Sequence, residues 1–119
     1  MFRATLTLAM LAALPGYAAD FAPVKEKAEF VSLIEGRDLR IGMFALTLKL
    51  SADGRIEGSA LGSPITGSWA WKDGYFCREM DWSGTAISYN CQLVEVRGMD
   101  RMRFTVDRGA GDSASFDLE

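Results

Sequence analysis

The chain has no histidine among its 119 residues, and that absence removes much of the chemistry open to a small protein. No Ser-His-Asp or Cys-His arrangement can be assembled, and the usual zinc ligand sets lose their nitrogen donor. Cysteine is scarce as well. The 2 that occur, Cys77 and Cys91, do not form a C-x-x-C pair and have no imidazole to activate a thiolate. No apolar run approaches the about 20 residues that a membrane-spanning helix needs. Basic residues are scattered singly, apart from Arg101 and Arg103 near Arg97, so no basic face is offered to a nucleic acid or an anionic membrane. No repeat of fixed length and no low-complexity tract is found.

The N-terminus is laid out as a cleavable export signal. Met1-Phe2-Arg3 is a short positive start, Ala4 to Leu14 is an apolar run with threonines, Pro15-Gly16 breaks it, and Gly16-Tyr17-Ala18 is a small-x-small cleavage site. Residues 1–18 are therefore expected to be removed. No cysteine follows the run to carry a lipid, so a periplasmic or secreted product without a membrane anchor is expected. Removing residues 1–18 from 119 leaves 101 residues, one domain on length alone, and takes the formal charge from −3 to −4.

Residues 19–36 read as a leader and a helix, and 37–119 as a β domain. Over Val24–Glu35 either Val24, Ala28, Val31 and Ile34 or Phe30, Leu33 and Ile34 recur at helical spacing, and Gly36 is a helix stop. From Arg37 the pattern turns to period two with a glycine every 8 to 12 residues, the mark of an antiparallel sandwich or barrel. Opposed residues must share a face. A three-residue loop at Ala52-Asp53-Gly54 pairs Leu50 with Ile56, and a Gly62-Ser63 turn pairs Ala60 with Ile65. Three-residue loops at Lys72-Asp73-Gly74 and Ser83-Gly84-Thr85 then pair Trp69 with Cys77 and set Cys77 opposite Cys91, within disulfide reach. The predicted fold is all-β: an up-and-down antiparallel meander of seven or eight strands, closed or open as a small barrel, with one N-terminal helix and one disulfide.

That registration predicts an inner face of Leu46, Leu48, Leu50, Ile56, Ala60, Ile65, Trp69, Trp71, Tyr75, Ile87, Tyr89 and the disulfide. It conflicts once with the later strands. Val94 and Val96 should face Phe104 and Met102 across Gly98-Met99-Asp100, but their parity is opposite to that of Cys91, and a bulge near Gln92–Leu93 would reconcile them. Phe104 and Val106 then pair with Phe116 and Ala114 across Gly109-Ala110-Gly111.

Two sets of residues are candidates for binding. Trp69, Trp71, Tyr75 and Tyr89 form an aromatic lumen that either packs as core beside the disulfide or holds a flat or apolar ligand. Phe76, Arg78, Met80 and Trp82 are expected to point outward, an apolar patch with a cationic centre that suits a protein partner; a partly covered strand with a snorkelling arginine is the plainer alternative. No catalytic residue, metal site or cofactor is indicated. Gly109-Ala110-Gly111-Asp112-Ser113-Ala114 has the letters of a dinucleotide fingerprint but no βαβ context, and reads as a hairpin turn. Asp107, Asp112 and Asp117 miss the calcium-loop spacing. The acids Glu79 with Asp81 and Glu57 with Glu95 are such as any β protein exposes.

The stretch Gly67-Ser68-Trp69-Ala70-Trp71-Lys72-Asp73-Gly74-Tyr75-Phe76-Cys77-Arg78, followed by Asn90-Cys91-Gln92, resembles small exported alphaproteobacterial proteins with a G-x-W-x-W-x-D-G-x-F-C-R core and a second cysteine. Some of these carry the label dihydrodipicolinate reductase, which implies an NAD(P)H-dependent enzyme of lysine synthesis with a Rossmann domain. The chain departs from that enzyme in length, in lacking a βαβ pattern and in having no histidine, so no catalytic residue is carried over. Two functions follow from the sequence: a non-enzymatic exported barrel that binds a protein partner or a small ligand, with the labelled reductase as the alternative.

Overall fold

A computed structural model describes residues 20–119; the predicted signal over residues 1–18 lies outside the described residues. The elements are β1 (Ala22–Val24), α1 (Lys27–Ile34), β2 (Leu39–Ile41), a 3₁₀ turn at Gly42–Phe44, β3 (Leu46–Leu50), β4 (Arg55–Ala60), β5 (Ser63–Lys72), β6 (Tyr75–Trp82), β7 (Thr85–Arg97), β8 (Arg101–Thr105), a short turn at Asp107–Gly109, and β9 (Ser113–Leu118). Each strand from β2 to β9 pairs antiparallel with the next, and β9 returns to β2 through Leu39 opposite Leu118. The result is an 8-strand closed barrel, so no long edge is left to pair with another chain. Strand β1 is an addition to the ring. It continues beside β7 where β6 has ended, with Val24 opposite Val94, and the Phe21 ring lies under the guanidinium of Arg103 at 4.1 Å.

The helix is shorter than the period-3.6 pattern suggested. Val24 belongs to a strand, and of the two predicted apolar sets it is Phe30, Leu33 and Ile34 that are buried. Gly36 ends the helix with φ +73°, a conformation that costs glycine nothing. Phe30 is completely buried and plugs one end of the barrel. Its ring lies 5.2 Å from Trp69 edge-on, 4.9 Å from Trp71 and 5.3 Å from Phe76. The indole N–H of Trp71 donates to the Lys25 carbonyl at 2.9 Å, tying the helix lead-in to β5. Trp69 donates to Ser51 and Trp82 to Ala60 in the same way, at 3.0 and 3.1 Å.

Leu50 opposite Ile56, Val94 opposite Phe104 and Val96 opposite Met102 stand as the sequence predicts. The β4–β5 and β8–β9 pairings slip by two. Ala60 faces Ser63 across Leu61-Gly62, and Phe104 faces Ala114. A slip of two keeps every side chain on its expected face.

Two other hairpins slip by one, which reverses faces. Asp73-Gly74 and Ser83-Gly84 are two-residue turns with positive φ at both positions, 53° and 85° in the first and 51° and 97° in the second. That is the type I′ geometry whose twist matches the strands it joins. Trp69 therefore faces Arg78 rather than Cys77, and Trp71 faces Phe76. Phe76, Met80 and Trp82 turn inward, and Tyr75, Tyr89 and the cysteines turn outward, correcting both predicted faces. The bulge also moves. It lies at Ser88–Tyr89 on β7, opposite Glu79, between the pairs Arg78–Asn90 and Met80–Ile87. This one-residue insertion cancels the short turn, so Cys77 still stands opposite Cys91, bonded to it with Cα atoms 3.9 Å apart. No bulge is needed at Gln92–Leu93, because an outward Cys91 and an inward Val94 have consistent parity.

Candidate functional site

Among the described residues, only the end of the barrel that holds Phe30 is plugged. Beyond Phe76 the interior opens into two apolar compartments that share Leu48, Met80 and Phe116. The first, about 260 Å³, lies under the β8–β9 loop and is walled by Leu39, Leu50, Ile56, Phe76 and Phe104. The second, about 290 Å³, reaches the far end between Leu46, Ile65, Trp82 and Ile87. Together they lie in the range of small-molecule sites, roughly 300–1,000 Å³. Most of their residues come from alternating positions of strands β2 to β9. Gly58 and Gly67 stand opposite Ile65 and Met80 on the neighbouring strands.

The rim of the open end is apolar. Phe44 and Leu61 line the second compartment and are half or more exposed, and Met43 beside them is almost fully exposed. The Leu61 amide donates to the Phe44 carbonyl at 3.2 Å, joining the two turns that carry them.

Two polar side chains in the first compartment have fewer partners among the described residues than they can take. Arg78 is half-buried among the apolar walls, and its guanidinium donates to the Ser88 carbonyl at 2.6 Å. Among the described residues it forms no ion pair. Burial pulls its pKa down from the ordinary arginine range, but an arginine stays charged in proteins. Gln92 is only 6 % exposed and lines the same compartment. No described residue hydrogen-bonds its side chain, whereas the other buried polar residue, Thr105, is satisfied by Ser113 at 2.7 Å. Phe76 stands opposite Gln92 and Arg78 opposite Asn90, so Arg78 and Gln92 are diagonal neighbours on the inner face. Such neighbours are roughly 7–8 Å apart at the backbone, within reach of one small group held between long side chains.

The first compartment lies beneath a seam. β8 pairs with β7 only over Leu93–Arg97, and the loop 106–112 covers the earlier part of β7. Asn90 fastens it, donating to the Asp107 carboxylate at 2.8 Å and accepting from the Asp107 amide at 3.0 Å. Asp107, Arg108 and Gly109 all have positive φ, a strained run held by those bonds and by Leu93 against Gly109.

The sequence-predicted residues are thus redistributed. Phe76, Arg78, Met80 and Trp82, expected on an outer face, line the lumen. Trp69 and Trp71 belong to the packed end around Phe30. Tyr75 and Tyr89 lie outside, with Arg108 over one ring and Lys72 over the other, and the Tyr89 hydroxyl lies 3.4 Å from Cys91 Sγ. Gln92 was missed, because one glutamine carries no sequence signal. The Gly109–Ala114 letters fall on a loop and the start of β9, as a hairpin requires. Asp117 and Glu95 are engaged by Arg101 and Arg103, and among the described residues no cluster of acidic, histidine or cysteine side chains can hold a metal. A cleft of about 420 Å³ outside the barrel is lined by charges that neutralise one another, as Lys49 does Asp38 at 2.6 Å. No protein family, curated protein or solved structure matches the chain.

Proposed function

We propose that the protein is an exported, non-enzymatic carrier or sensor that takes a small apolar or amphiphilic ligand into the barrel lumen. The observation that carries this reading is the inward position of Phe76, Met80 and Trp82 around open space that the core does not fill. Side-chain packing normally leaves few voids larger than a water molecule, and lumens of eight-stranded barrels are wide enough for one small ligand. The apolar rim at Phe44 and Leu61 is a wetted route for such a ligand to pass from solvent. Export is supported by the signal-like N-terminus and by the Cys77–Cys91 bond, since disulfides persist in oxidising compartments. The reductase alternative has no support in the architecture, which offers no strand–helix crossover for a dinucleotide. A protein partner on the Phe76–Trp82 face is not proposed further, because that face is interior.

The test is fluorescence titration with N-phenyl-1-naphthylamine, a neutral dye that brightens in apolar surroundings. The wild type is expected to bind it saturably. Ile87→Trp, which enlarges a residue at the mouth, is expected to abolish binding while leaving the thermal midpoint within a few degrees. A dye that does not bind the wild type, or binds both forms equally, rejects the lumen as the site.

A further inference from the structure

We propose that Arg78 and Gln92 form a headgroup site for a carboxylate, and that the ligand is a single-tailed aliphatic acid whose tail runs from them toward Trp82 and Phe44. This inference rests on the lumen reading above and names the chemistry of its ligand.

Charge comes first. A guanidinium in an apolar wall is costly unless something compensates it, and the Ser88 carbonyl supplies one neutral acceptor for five N–H donors. A planar carboxylate meets the remaining fork with two parallel hydrogen bonds. Gln92 is the second and independent observation. The residue is more than nine-tenths buried and lines the same compartment, and its side chain has no hydrogen-bond partner among the described residues. Buried polar groups are seldom left so. An N–H from Gln92 and the fork of Arg78 converge on one small acceptor.

The rest of the lumen selects what that acceptor is attached to. The second compartment is lined by apolar residues alone, among them Leu46, Ile65, Trp82 and Ile87. The two compartments meet at Leu48, Met80 and Phe116, so a tail that passes these side chains enters the second. A doubly charged headgroup fits less well, because Asp112 stands on the wall of the first compartment and only one cation is present. A cationic amphiphile would set its charge against Arg78. A monoanion with one aliphatic tail matches both ends.

The test is isothermal titration calorimetry of the folded chain without its signal, at neutral pH, with decanoate, decan-1-ol and decyltrimethylammonium. Charge-assisted hydrogen bonds to a carboxylate are expected to make decanoate bind on the order of 10- to 100-fold tighter than decan-1-ol, with the ammonium weakest. Arg78→Met is expected to remove that preference, costing the acid far more affinity than the alcohol, and Gln92→Leu to reduce it. Thermal unfolding checks that each variant is folded; should Arg78→Met not fold, the wild-type series and Gln92→Leu decide. Equal binding of acid and alcohol by the wild type, or equal loss of both in a folded Arg78→Met, overturns the carboxylate site and leaves the lumen reading standing. Failure of all three ligands to bind overturns the lumen reading and this inference with it.

Discussion

Single residues decide how tightly this barrel can turn. Gly58 and Gly67 are inward positions of β4 and β5 at which a Cβ would meet a neighbouring strand's backbone. At Gly67 it would lie 2.3 Å from the Glu79 carbonyl oxygen and 2.9 Å from the Met80 Cα. Backbone atoms in a closed sheet cannot step aside cheaply, so the strands approach as they do because no side chain stands there. Gly67→Val is expected to destabilise the protein by about 1–3 kcal/mol, as overpacked cores are, read from the urea midpoint. Gly42→Ala meets nothing within 4 Å and φ there is not positive; it is expected to change stability by less than about 0.5 kcal/mol. A tolerated Gly67→Val would contradict the close approach. Arg78 shows the other side of residue-level reading. One arginine stands in the otherwise apolar row of Phe76, Met80 and Trp82, which a one-residue error of register placed on the outer face. Local rules fail most often where a residue serves function rather than stability, and the proposed carboxylate site would give this arginine such a role.

At the scale of the elements, turn length governed what was legible. The Leu50–Ile56 hairpin was readable because Ser51 pairs with Arg55 around Ala52-Asp53-Gly54, with the Gly54 amide donating to the Ser51 carbonyl. Asp73-Gly74 and Ser83-Gly84 admit two-residue and three-residue loops alike, so these letters do not decide which face the flanking residues take. Two compensating irregularities, a short turn and a bulge opposite Glu79, then preserved Cys77 opposite Cys91. The disulfide was therefore legible although the faces around it were not. It clamps β6 to β7 on the outside of the barrel, beside the bulge, and closes a separation of 14 residues. Replacing both cysteines by serine is expected to lower unfolding free energy by about 3 kcal/mol in the chain-entropy account, while dye affinity in the lumen stays within about twofold at temperatures where the protein remains folded. Chemical unfolding and titration on the same samples check this. A loss of affinity in folded protein would mean that the clamp shapes the lumen.

For the molecule as a whole, the meander was readable from glycine spacing, but its closure was not. Strand β2 has three residues, of which Leu39 and Arg40 pair with β9 as well as with β3, too few to announce a strand. Val24 in β1 fits a period of 3.6 as well as it fits a strand, so no local pattern separates β1 from the helix. Which end is plugged and which is open depends on where Phe30 lands, a tertiary outcome that no local pattern encodes. From these facts comes the division of labour: a packed end held by α1, Trp69, Trp71 and Phe76, and a hollow end walled by Leu48, Met80, Trp82 and Ile87. The most direct test is a ¹⁵N and methyl NMR titration of the folded chain with decan-1-ol. The expected result is that the Trp82 indole N–H and the Met80 methyl shift most and show contacts to the ligand tail, while Glu79, Asp81 and Tyr89 stay in place. Shifts confined to those outward residues, or none at saturating ligand, would contradict a ligand site inside the barrel.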